Sequence, residues 1–228
     1  MPKAVSVSRM QVIDRTAIET MGIPRLLLME HAGLAVARCA RASHADPSVP
    51  IAVCCGTGFN GGDGLCAARH LHHWGYQPRV ALAGTAERLE GEPAVYASIL
   101  RRLGVRLVEC GSANAPQTAL GQIERWLAEC GLIIDALLGI GIRGPVREPT
   151  ASLITAINRS GKRVIAVDIP SGLDGDTGRL HGAAVKATTT VTFGLPKQGC
   201  LIGDGPAHVG SLVVDDITLP RELLEAPG

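Results

Sequence analysis

No excess of charge marks this chain of 228 residues, because 22 lysine and arginine residues balance 21 aspartate and glutamate residues to a formal net charge of +1. Such a surface does not attract nucleic acid or an anionic membrane, so neither is expected as a partner. No apolar run approaches the length of a membrane span. The longest, residues 132–142, is interrupted by Asp135 and two glycines.

Two further absences bear on the compartment. The N-terminal segment MPKAVSVSRM lacks the apolar core of a signal peptide. The seven cysteines form no C-x-x-C pair and are odd in number, which favours reduced thiols over a disulfide framework. Cys54 and Cys55 fall inside a predicted strand, where they are expected to be core residues. We therefore expect a cytoplasmic protein.

Apolar residues, by contrast, are abundant. They make up 46% of the chain against 19% charged residues, and the mean hydropathy is +0.22. These values fit parallel strands that are buried under helices on both faces. Because the length suits one sizeable core and no repeat or low-complexity tract divides the chain, we expect a single domain over residues 1–228.

Candidate strands alternate with candidate helices along most of the chain. Two helices come first, one over 9–21 after a Ser8 cap and before Gly22, and one from Pro24 to residue 42. The expected strands are then 51–55, 79–82, 105–108, 132–137, 163–167, 188–193 and 211–214. Further helices are expected from 65 toward 75 and over 92–103, 118–129 and 151–158, with none between the last two strands. The pattern predicts an α/β fold with a doubly wound, mostly parallel sheet and extra strands at one edge.

A glycine-rich loop between the first strand and the next helix says most about function. Several glycines follow the apolar run 51–55, with Asn60 and Asp63 among them, and apolar residues then recur at helical spacing as far as Gly75. A strand that turns through glycines into a helix leaves free N–H groups at the positive end of the helix dipole, where phosphate or another anion binds. The loop is therefore a candidate nucleotide site. The alternative is a tight turn that uses glycine for backbone reasons only.

The same loop also satisfies the dinucleotide motif G-x-G-x-x-G through Gly56, Gly58 and Gly61. A dehydrogenase of that kind needs an acidic residue at the end of the second strand, about 20 residues on, for the ribose hydroxyls. Here the second strand runs into residues 83–86 (AGTA), which hold no carboxylate, and Glu87 comes late. A redox enzyme that uses intact NAD is therefore disfavoured.

Two aspartates stand where hydrophobic strands finish. Asp135 lies in the segment 132–137, and Asp168 directly follows the strand 163–167. A buried carboxylate is costly unless it is paired, hydrogen-bonded or bound to a cation. Ligands of open α/β sheets bind beyond the carboxyl ends of the strands. We therefore expect both aspartates to face the glycine loop across one binding site, although either could instead be a helix N-cap.

A cation is a second possibility for this edge of the sheet. Asn60, Asp135 and Ser171 carry hard oxygen donors with one formal charge among them, a set that suits a monovalent ion better than zinc. The alternative is that Asn60 and Ser171 satisfy backbone groups of their own loops.

Two other features have simpler interpretations. His70, His72 and His73 show no metal-ligand spacing and are expected on a solvated helix face. Lys197 follows a predicted strand, and it is expected either to meet a phosphate or to lie at the surface. Neither feature carries the functional argument.

Five motifs together resemble those of the NAD(P)H-hydrate epimerase family, the YjeF N-terminal domain. Residues 28–33 (LMEHAG) are similar to its L-M-E-N-A-G element, and residues 56–64 (GTGFNGGDG) to its G-P-G-N-N-G-G-D-G loop. Residues 135–141 (DALLGIG), 168–172 (DIPSG) and 190–197 (TVTFGLPK) match its D-A-L-F-G-x-G, D-I-P-S-G and T-V-T-F-G-x-P-K motifs. The resemblance covers nearly the whole chain.

The resemblance implies a Rossmann-like, three-layer α/β/α sandwich. It also implies an isomerase that interconverts the R and S epimers of hydrated NADH and NADPH, damaged cofactors with water added across the nicotinamide ring. A partner dehydratase would then restore the S form. The family's potassium ion, one per subunit, would be held by Asn60, Asp135 and Ser171, and a homodimer is expected. The implied substrate contacts are Phe59, Asn60, Gly61, Gly62, Asp63, Gly139, Ile140, Gly141, Ile142, Arg143, Gly144, Pro145 and Asp168.

Proton transfer is assigned to Asp168, since Asp135 is expected to be committed to the ion. The reacting carbon carries a hydroxyl beside the ring nitrogen. Loss of hydroxide gives a planar iminium, and water that returns to the other face inverts the centre. The reaction therefore needs an acid for the leaving oxygen and a base for the incoming water.

The chain departs from the family pattern at three positions. Phe59 and His31 each replace an Asn, and Thr218 replaces a Gly. Because Phe59 falls in the implied substrate site, a second hypothesis is a non-catalytic nucleotide-binding or protein-interaction module of the same fold. Many bacterial members continue into a dehydratase, so the chain is expected to be either a stand-alone epimerase or a piece of a longer protein.

Overall fold

A computed structural model describes residues 3–111 and 116–225, and it places seven strands in one sheet. They are β1 (Ile51–Cys55), β2 (Pro78–Leu82), β3 (Leu107–Glu109), β4 (Leu132–Ala136), β5 (Arg163–Val167), β6 (Thr189–Phe193) and β7 (Ser211–Asp215). Every pair is parallel, and the order is β3-β2-β1-β4-β5-β6-β7. The predicted doubly wound sheet with extra strands at one edge is confirmed.

Eight α-helices lie in the described ranges. They are α1 (Val7–Arg15), α2 (Arg25–Ser43), α3 (Phe59–His73), α4 (Gly91–Arg102), α5 (Pro116–Glu129), α6 (Thr150–Arg159), α7 (Gly205–Val209) and α8 (Arg221–Glu225). Among them, no helix combines the length and the apolar character that a membrane crossing would need.

The side chains of β1 show how three layers form. Ile51, Val53 and Cys55 belong to one apolar cluster with residues of α1 to α4, whereas Ala52 and Cys54 belong to a second with residues of α5 and α6. All five are buried, because helices cover both faces of the sheet. The α/β/α sandwich is therefore confirmed, and the two strand cysteines are core residues as expected.

Two helices begin earlier than predicted. The N-cap of α1 is Ser6, whose hydroxyl accepts a hydrogen bond from the Arg9 N–H at 3.2 Å, so Ser8 is not the cap. A π-helical turn, Thr16–Thr20, continues α1 toward Gly22. The other early helix, α3, begins at Phe59 inside the glycine loop rather than after it, because glycine accepts helical backbone angles although it breaks the apolar periodicity.

The expectation of no helix between the last two strands is wrong. A 3₁₀ turn, Gln198–Cys200, and α7 both lie between β6 and β7. These strands are parallel, so the chain has to return to the opposite end of the sheet, and a crossover of this kind is usually helical. The connecting segment is rich in glycine and too short in each piece for a helical period to be recognised.

The strand order reverses beside β1, which determines where a ligand can bind. β1 pairs with β2 on one side and β4 on the other. Loops on the two sides of such a point diverge and leave a crevice at the carboxyl ends of the strands. The glycine loop after β1 and the segments after β4 and β5 therefore meet at the same edge of the sheet.

Candidate functional site

A cavity of about 690 Å³ opens at this edge. The glycine loop, the turn after β4, Asp168 and Lys197 line it from the sheet, and residues of α1 and α2 line the other side. The volume falls within the range of about 300–1,000 Å³ that is typical of small-molecule sites.

Eight of the predicted substrate contacts line the cavity. They are Phe59, Asn60, Asp63, Gly139, Ile140, Gly141, Ile142 and Asp168. Gly61 and Gly62 are buried in the first turn of α3 instead, and Arg143, Gly144 and Pro145 are exposed beyond the cavity rim. A ligand that reaches those three exposed residues has to extend out of the cavity along the loop after β4.

In the loop after β1, other backbone atoms lie so close to two of the glycines that no side chain would fit there. A Cβ on Gly56 would overlap the carbonyl oxygen of Leu137, and a Cβ on Gly61 would overlap that of Gly56. The helix N-cap is Gly58, which provides no side-chain capping bond, and the first turn closes through the Gly62 N–H donating to the Gly58 carbonyl at 3.0 Å. The earlier N–H groups of α3 have no partner within the helix, which suits an anionic ligand.

Asp135 and Ser171 form a buried pair, and neither of them is among the residues that line the cavity. The Ser171 hydroxyl donates to Asp135 Oδ1 at 2.6 Å, and the Ser171 N–H donates to Oδ2 at 2.9 Å. Both residues are fully buried, and burial raises the pKa of Asp135 to about 6 against the opposing effect of the Ser171 hydrogen bonds. No lysine, arginine or histidine of the described ranges forms an ion pair with Asp135.

Asn60 lies beside this pair. Its side chain packs against Gly139, whose Cβ would be only 3.2 Å from the Asn60 Cβ, and Leu138 next to it donates its N–H to Ser171 Oγ at 2.8 Å. The Asn60 Nδ2 atom is buried without a hydrogen-bond partner among the described residues. Oxygen and nitrogen of an amide exchange places by a simple flip, so an amide oxygen fits this position equally well. A buried carboxylate without a counter-charge beside oxygen donors is a set that can hold a cation, so the predicted ligands fit such an ion.

Asp168 is held at the cavity wall by a buried ion pair with Lys197. Its Oδ1 atom also accepts the Phe193 N–H at 3.1 Å and the Thr192 hydroxyl at 3.3 Å, whereas no described residue donates to Oδ2. The backbone φ of Asp168 is +64°, a conformation that costs energy in a residue other than glycine and is concentrated at functional sites. One carboxylate oxygen is thus fixed and the other remains free for a ligand.

Lys197 is neither a surface residue nor free to bind phosphate. Its side chain is 1% exposed, and the ammonium donates to Asp168, to the Thr192 hydroxyl at 3.2 Å and to the Phe193 carbonyl at 2.8 Å. An ammonium has three N–H donors, so these contacts use all of them. The sequence offered no sign of this role, because the ion pair joins residues that are 29 positions apart.

Four charged residues of the cavity lining were not among the predicted site residues: Asp14 and Arg15 of α1, Glu19 of the π-helical turn and Arg25 of α2. Asp63 of α3, which was predicted, lies in the same lining. Burial raises the pKa of Asp63 well above its ordinary value, and the negative charges of Asp168 and Asp14 add to the rise. The available signal for Asp14 was an acid on an apolar helix face, since Met10 and Ala17 flank it at helical spacing.

Phe59 stands at the cavity mouth rather than inside it. Its side chain is 53% exposed, and the Arg25 guanidinium lies 4.2 Å from the centre of its ring. The ring face on which a flat heterocycle could stack is therefore shared with a cation. This geometry places the departure from the family pattern at the entrance.

The expected solvated histidine face is correct for His73 but wrong for His70. His73 is exposed, whereas His70 is partly buried and its Nε2 lies 2.9 Å from Glu30 Oε1. The same carboxylate pairs with Arg69 and accepts the Tyr96 hydroxyl at 2.7 Å. Through these contacts Glu30 of α2 connects to Arg69 and His70 of α3 and to Tyr96 of α4. The three helices therefore share one polar network.

Fold and cavity together define a doubly wound α/β protein with a cavity at its switch point. The chain matches the family model described as YjeF-related protein N-terminus over residues 25–199, and it belongs to that family. The resemblance inferred from the motifs is thereby confirmed.

Individual proteins to which the chain is similar support the same family. The chain is 44% identical over 229 residues to the bifunctional NAD(P)H-hydrate repair enzyme Nnr of Pyrobaculum aerophilum, covering 99% of this chain and 44% of that protein. It is 37% identical over 214 residues to the NAD(P)H-hydrate epimerase of Limosilactobacillus fermentum, covering 94% and 96% of the two chains. The crystal structure of the yeast protein ynu0 (YNL200c) superimposes with a TM-score of 0.81 at 25% identity, over 97% of this chain and 91% of that one. The chain thus spans less than half the length of its bifunctional relatives.

Proposed function

We propose that the protein is an epimerase that interconverts the R and S forms of hydrated NADH and NADPH. The observation that carries the proposal is a carboxylate, Asp168, fixed at the wall of a nucleotide-sized cavity with one oxygen free for the reacting group. The family membership and a similarly long relative named NAD(P)H-hydrate epimerase support this choice of reaction.

The chemistry follows from the geometry of Asp168. The hydroxylated carbon adjoins the ring nitrogen, whose lone pair expels the hydroxyl as water once a proton reaches it. Addition of water to the opposite face, with loss of a proton, inverts the centre. Oδ2 of Asp168 is available to give or take the proton, while the contacts to Oδ1 hold its orientation. General acid–base assistance of this kind contributes about 10²–10⁴-fold.

The decisive assay couples the reaction to a dehydratase that accepts only the S epimer. Purified protein is mixed with the R epimer of hydrated NADPH and excess dehydratase, and the recovery of NADPH is followed by its absorbance. We expect recovery to accelerate above the spontaneous rate of epimerisation. A folded, soluble sample that leaves this rate unchanged would refute the epimerase assignment.

A potassium ion is proposed beside the substrate, held by Asn60, Asp135 and Ser171. Bound there, it would supply a positive charge next to the otherwise uncompensated Asp135 carboxylate. The ion would also anchor the loops after β1, β4 and β5 to one another.

Replacing potassium by lithium is expected to lower the melting temperature. An ion at 100-fold its dissociation constant adds about 2.7 kcal/mol of stability, and lithium is too small and too strongly hydrated to substitute in a site of this kind. The measurement is thermal unfolding in potassium chloride and in lithium chloride at equal concentration. In the variant Asn60→Ala, the difference in melting temperature between the two salts should be smaller. Equal melting of the wild type in both salts would contradict the ion site.

A second candidate function is a non-catalytic binding module, favoured by the exposed Phe59 ring and the Arg25 guanidinium at the cavity mouth. In that case the pair would obstruct the mouth of the cavity. Conversely, an epimerase has to pass its substrate alongside this pair.

Phe59→Asn separates the two candidates. A ring pair contributes about 0.5–1.5 kcal/mol beyond burial, and a hydrogen bond from an amide about the same. For an epimerase we therefore expect kcat/KM in the coupled assay to change by less than about tenfold in either direction. A rise of about a hundredfold or more from negligible activity would instead indicate a pocket that Phe59 had closed.

A further inference from the structure

Inversion through a planar intermediate requires proton transfer on both faces of the ring. Asp168 is held at the end of β5 by the contacts of its Oδ1 atom to Lys197, Thr192 and Phe193, so it approaches a ligand from the sheet side of the cavity. A second group has to act from the other side of the cavity. This inference rests on the proposed epimerase function.

The side of the cavity opposite the sheet is formed by α1 and α2, and Asp14 is the carboxylate that α1 contributes to it. Its neighbours in the helix, Met10 and Ile13, are buried in the core and fix the orientation of α1. No described residue forms a hydrogen bond or an ion pair with the Asp14 carboxyl, although the group is only partly accessible. A partly buried carboxyl without a protein partner is free to contact a ligand.

Charged groups from several elements act on Asp14. Burial is the main effect, and with the negative charge of Asp168 it raises the pKa of Asp14 to about 6, while Lys197 and Arg25 oppose the rise. Asp63 of α3 belongs to the same set of interacting acids. A group that titrates near neutral pH can both give and accept a proton under physiological conditions.

We propose that Asp14 is a second catalytic residue, which transfers the proton on the ring face opposite Asp168. In one direction its carboxylic acid gives a proton to the hydroxyl, the C–O bond breaks, the ring nitrogen donates its lone pair to form the iminium, and water leaves. A water molecule then adds on the Asp168 side, the new C–O bond returns the electron pair to nitrogen, and the carboxylate of Asp168 takes the proton. The reverse direction exchanges the two roles, and proton exchange with solvent resets them.

Asp63 is less suited to this role although it lies in the same cavity. It belongs to the first turn of α3, and burial together with the negative charges of Asp168 and Asp14 raises its pKa well above the ordinary value, which favours the neutral carboxylic acid. A carboxyl that stays neutral can donate a hydrogen bond to a ligand but does not cycle between acid and base. Asp168 forms a direct ion pair with Lys197, whereas Asp14 forms none with any described residue. The ion pair favours the carboxylate form of Asp168, which suits a base, and the unpaired Asp14 is better suited to act as the acid.

The test compares Asp14→Asn, Asp14→Glu and the control Glu222→Gln, which removes one exposed carboxylate on α8 that is not part of the cavity lining. Steady-state kinetics of the full chain in the coupled assay are recorded across pH, together with thermal unfolding. For Asp14→Asn we expect kcat to fall by about a hundredfold or more, with KM within about threefold of wild type and the limb of the pH–rate profile near pH 6 lost. Asp14→Glu should recover part of the rate, and Glu222→Gln should match the wild type.

Several outcomes would overturn the proposal. A kcat of Asp14→Asn within about threefold of wild type, or a loss confined to KM, removes Asp14 from the chemical step. The melting temperature of Asp14→Asn should not fall, because the substitution removes a poorly compensated charge. If it does fall, Asp14→Glu still tests the role, since that variant keeps the carboxyl group. A wild type without activity would refute the epimerase assignment itself, whereas an active wild type with an equally active Asp14→Asn refutes only the role of Asp14.

Discussion

Asp168→Asn is expected to slow epimerisation by about a hundredfold or more, with little change in KM. The substitution keeps the shape of the side chain but removes the atom that exchanges the proton. Asparagine tolerates a positive φ better than most residues do, so the backbone at φ +64° should persist. The measurement is kcat in the coupled assay, and a rate within about threefold of wild type would exclude Asp168 from proton transfer.

The control for this variant has to separate lost chemistry from lost stability. Removing the carboxylate leaves the ammonium of Lys197 buried without its counter-charge, which costs about 3–5 kcal/mol when one partner of a buried pair is removed. The double variant Asp168→Asn/Lys197→Met removes both charges and should regain much of the stability in chemical denaturation. It should remain inactive. Recovery of activity along with stability would mean that Asp168 serves the fold and not the reaction.

Gly61→Ala is expected to destabilise the protein by about 3 kcal/mol and to abolish ligand binding. The added methyl would overlap the backbone carbonyl of Gly56, which cannot rotate away as a side chain could. Gly56 is itself pressed against Leu137 at the end of β4, so the strain would spread to the Asp135 segment. Chemical denaturation gives the stability, and the thermal shift on addition of hydrated NADPH gives the binding.

Gly58→Ala is the matched control for Gly61→Ala. It lies in the same loop, its φ is −92°, and no atom lies within 4 Å of the position that its Cβ would take. We expect its effect on the free energy of unfolding to stay within about 1 kcal/mol. Equal stability of the two variants would show that the loop can move to accommodate a Cβ at Gly61 and that the close approach of the Gly56 carbonyl does not constrain it.

The fold and half of the site were predictable from local signals in the chain. Apolar runs of strand length, separated by segments of helical period, predicted the parallel sheet. Polar residues at the ends of β4 and β5 indicated its functional edge. Asp135 and Asp168 could be chosen because they stand within and directly after a strand end, and Ser171 because it lies in the loop that follows β5, where the rules for open α/β sheets apply.

Boundaries were less predictable where glycine interrupts the period. The start of α3 at Phe59 and the existence of α7 both fall in glycine-rich segments, so the hydrophobic pattern could not reveal them. Glycine permits many backbone conformations, and the choice among them is made by packing against Leu137, Gly139 and the residues around them.

By itself, then, the sequence determined the sheet, the glycine loop after β1, and the strand ends at which the acidic residues lie, because these depend on spacing within short segments. Only the tertiary structure decided which side chains surround those acidic residues. Lys197 meets Asp168 across 29 positions, His70 meets Glu30 through the packing of α3 on α2, and Asp14 reaches the cavity because α1 packs over the edge of the sheet. Charge, burial and proton affinity at such places arise from neighbours distant in the chain, and no local pattern encodes them.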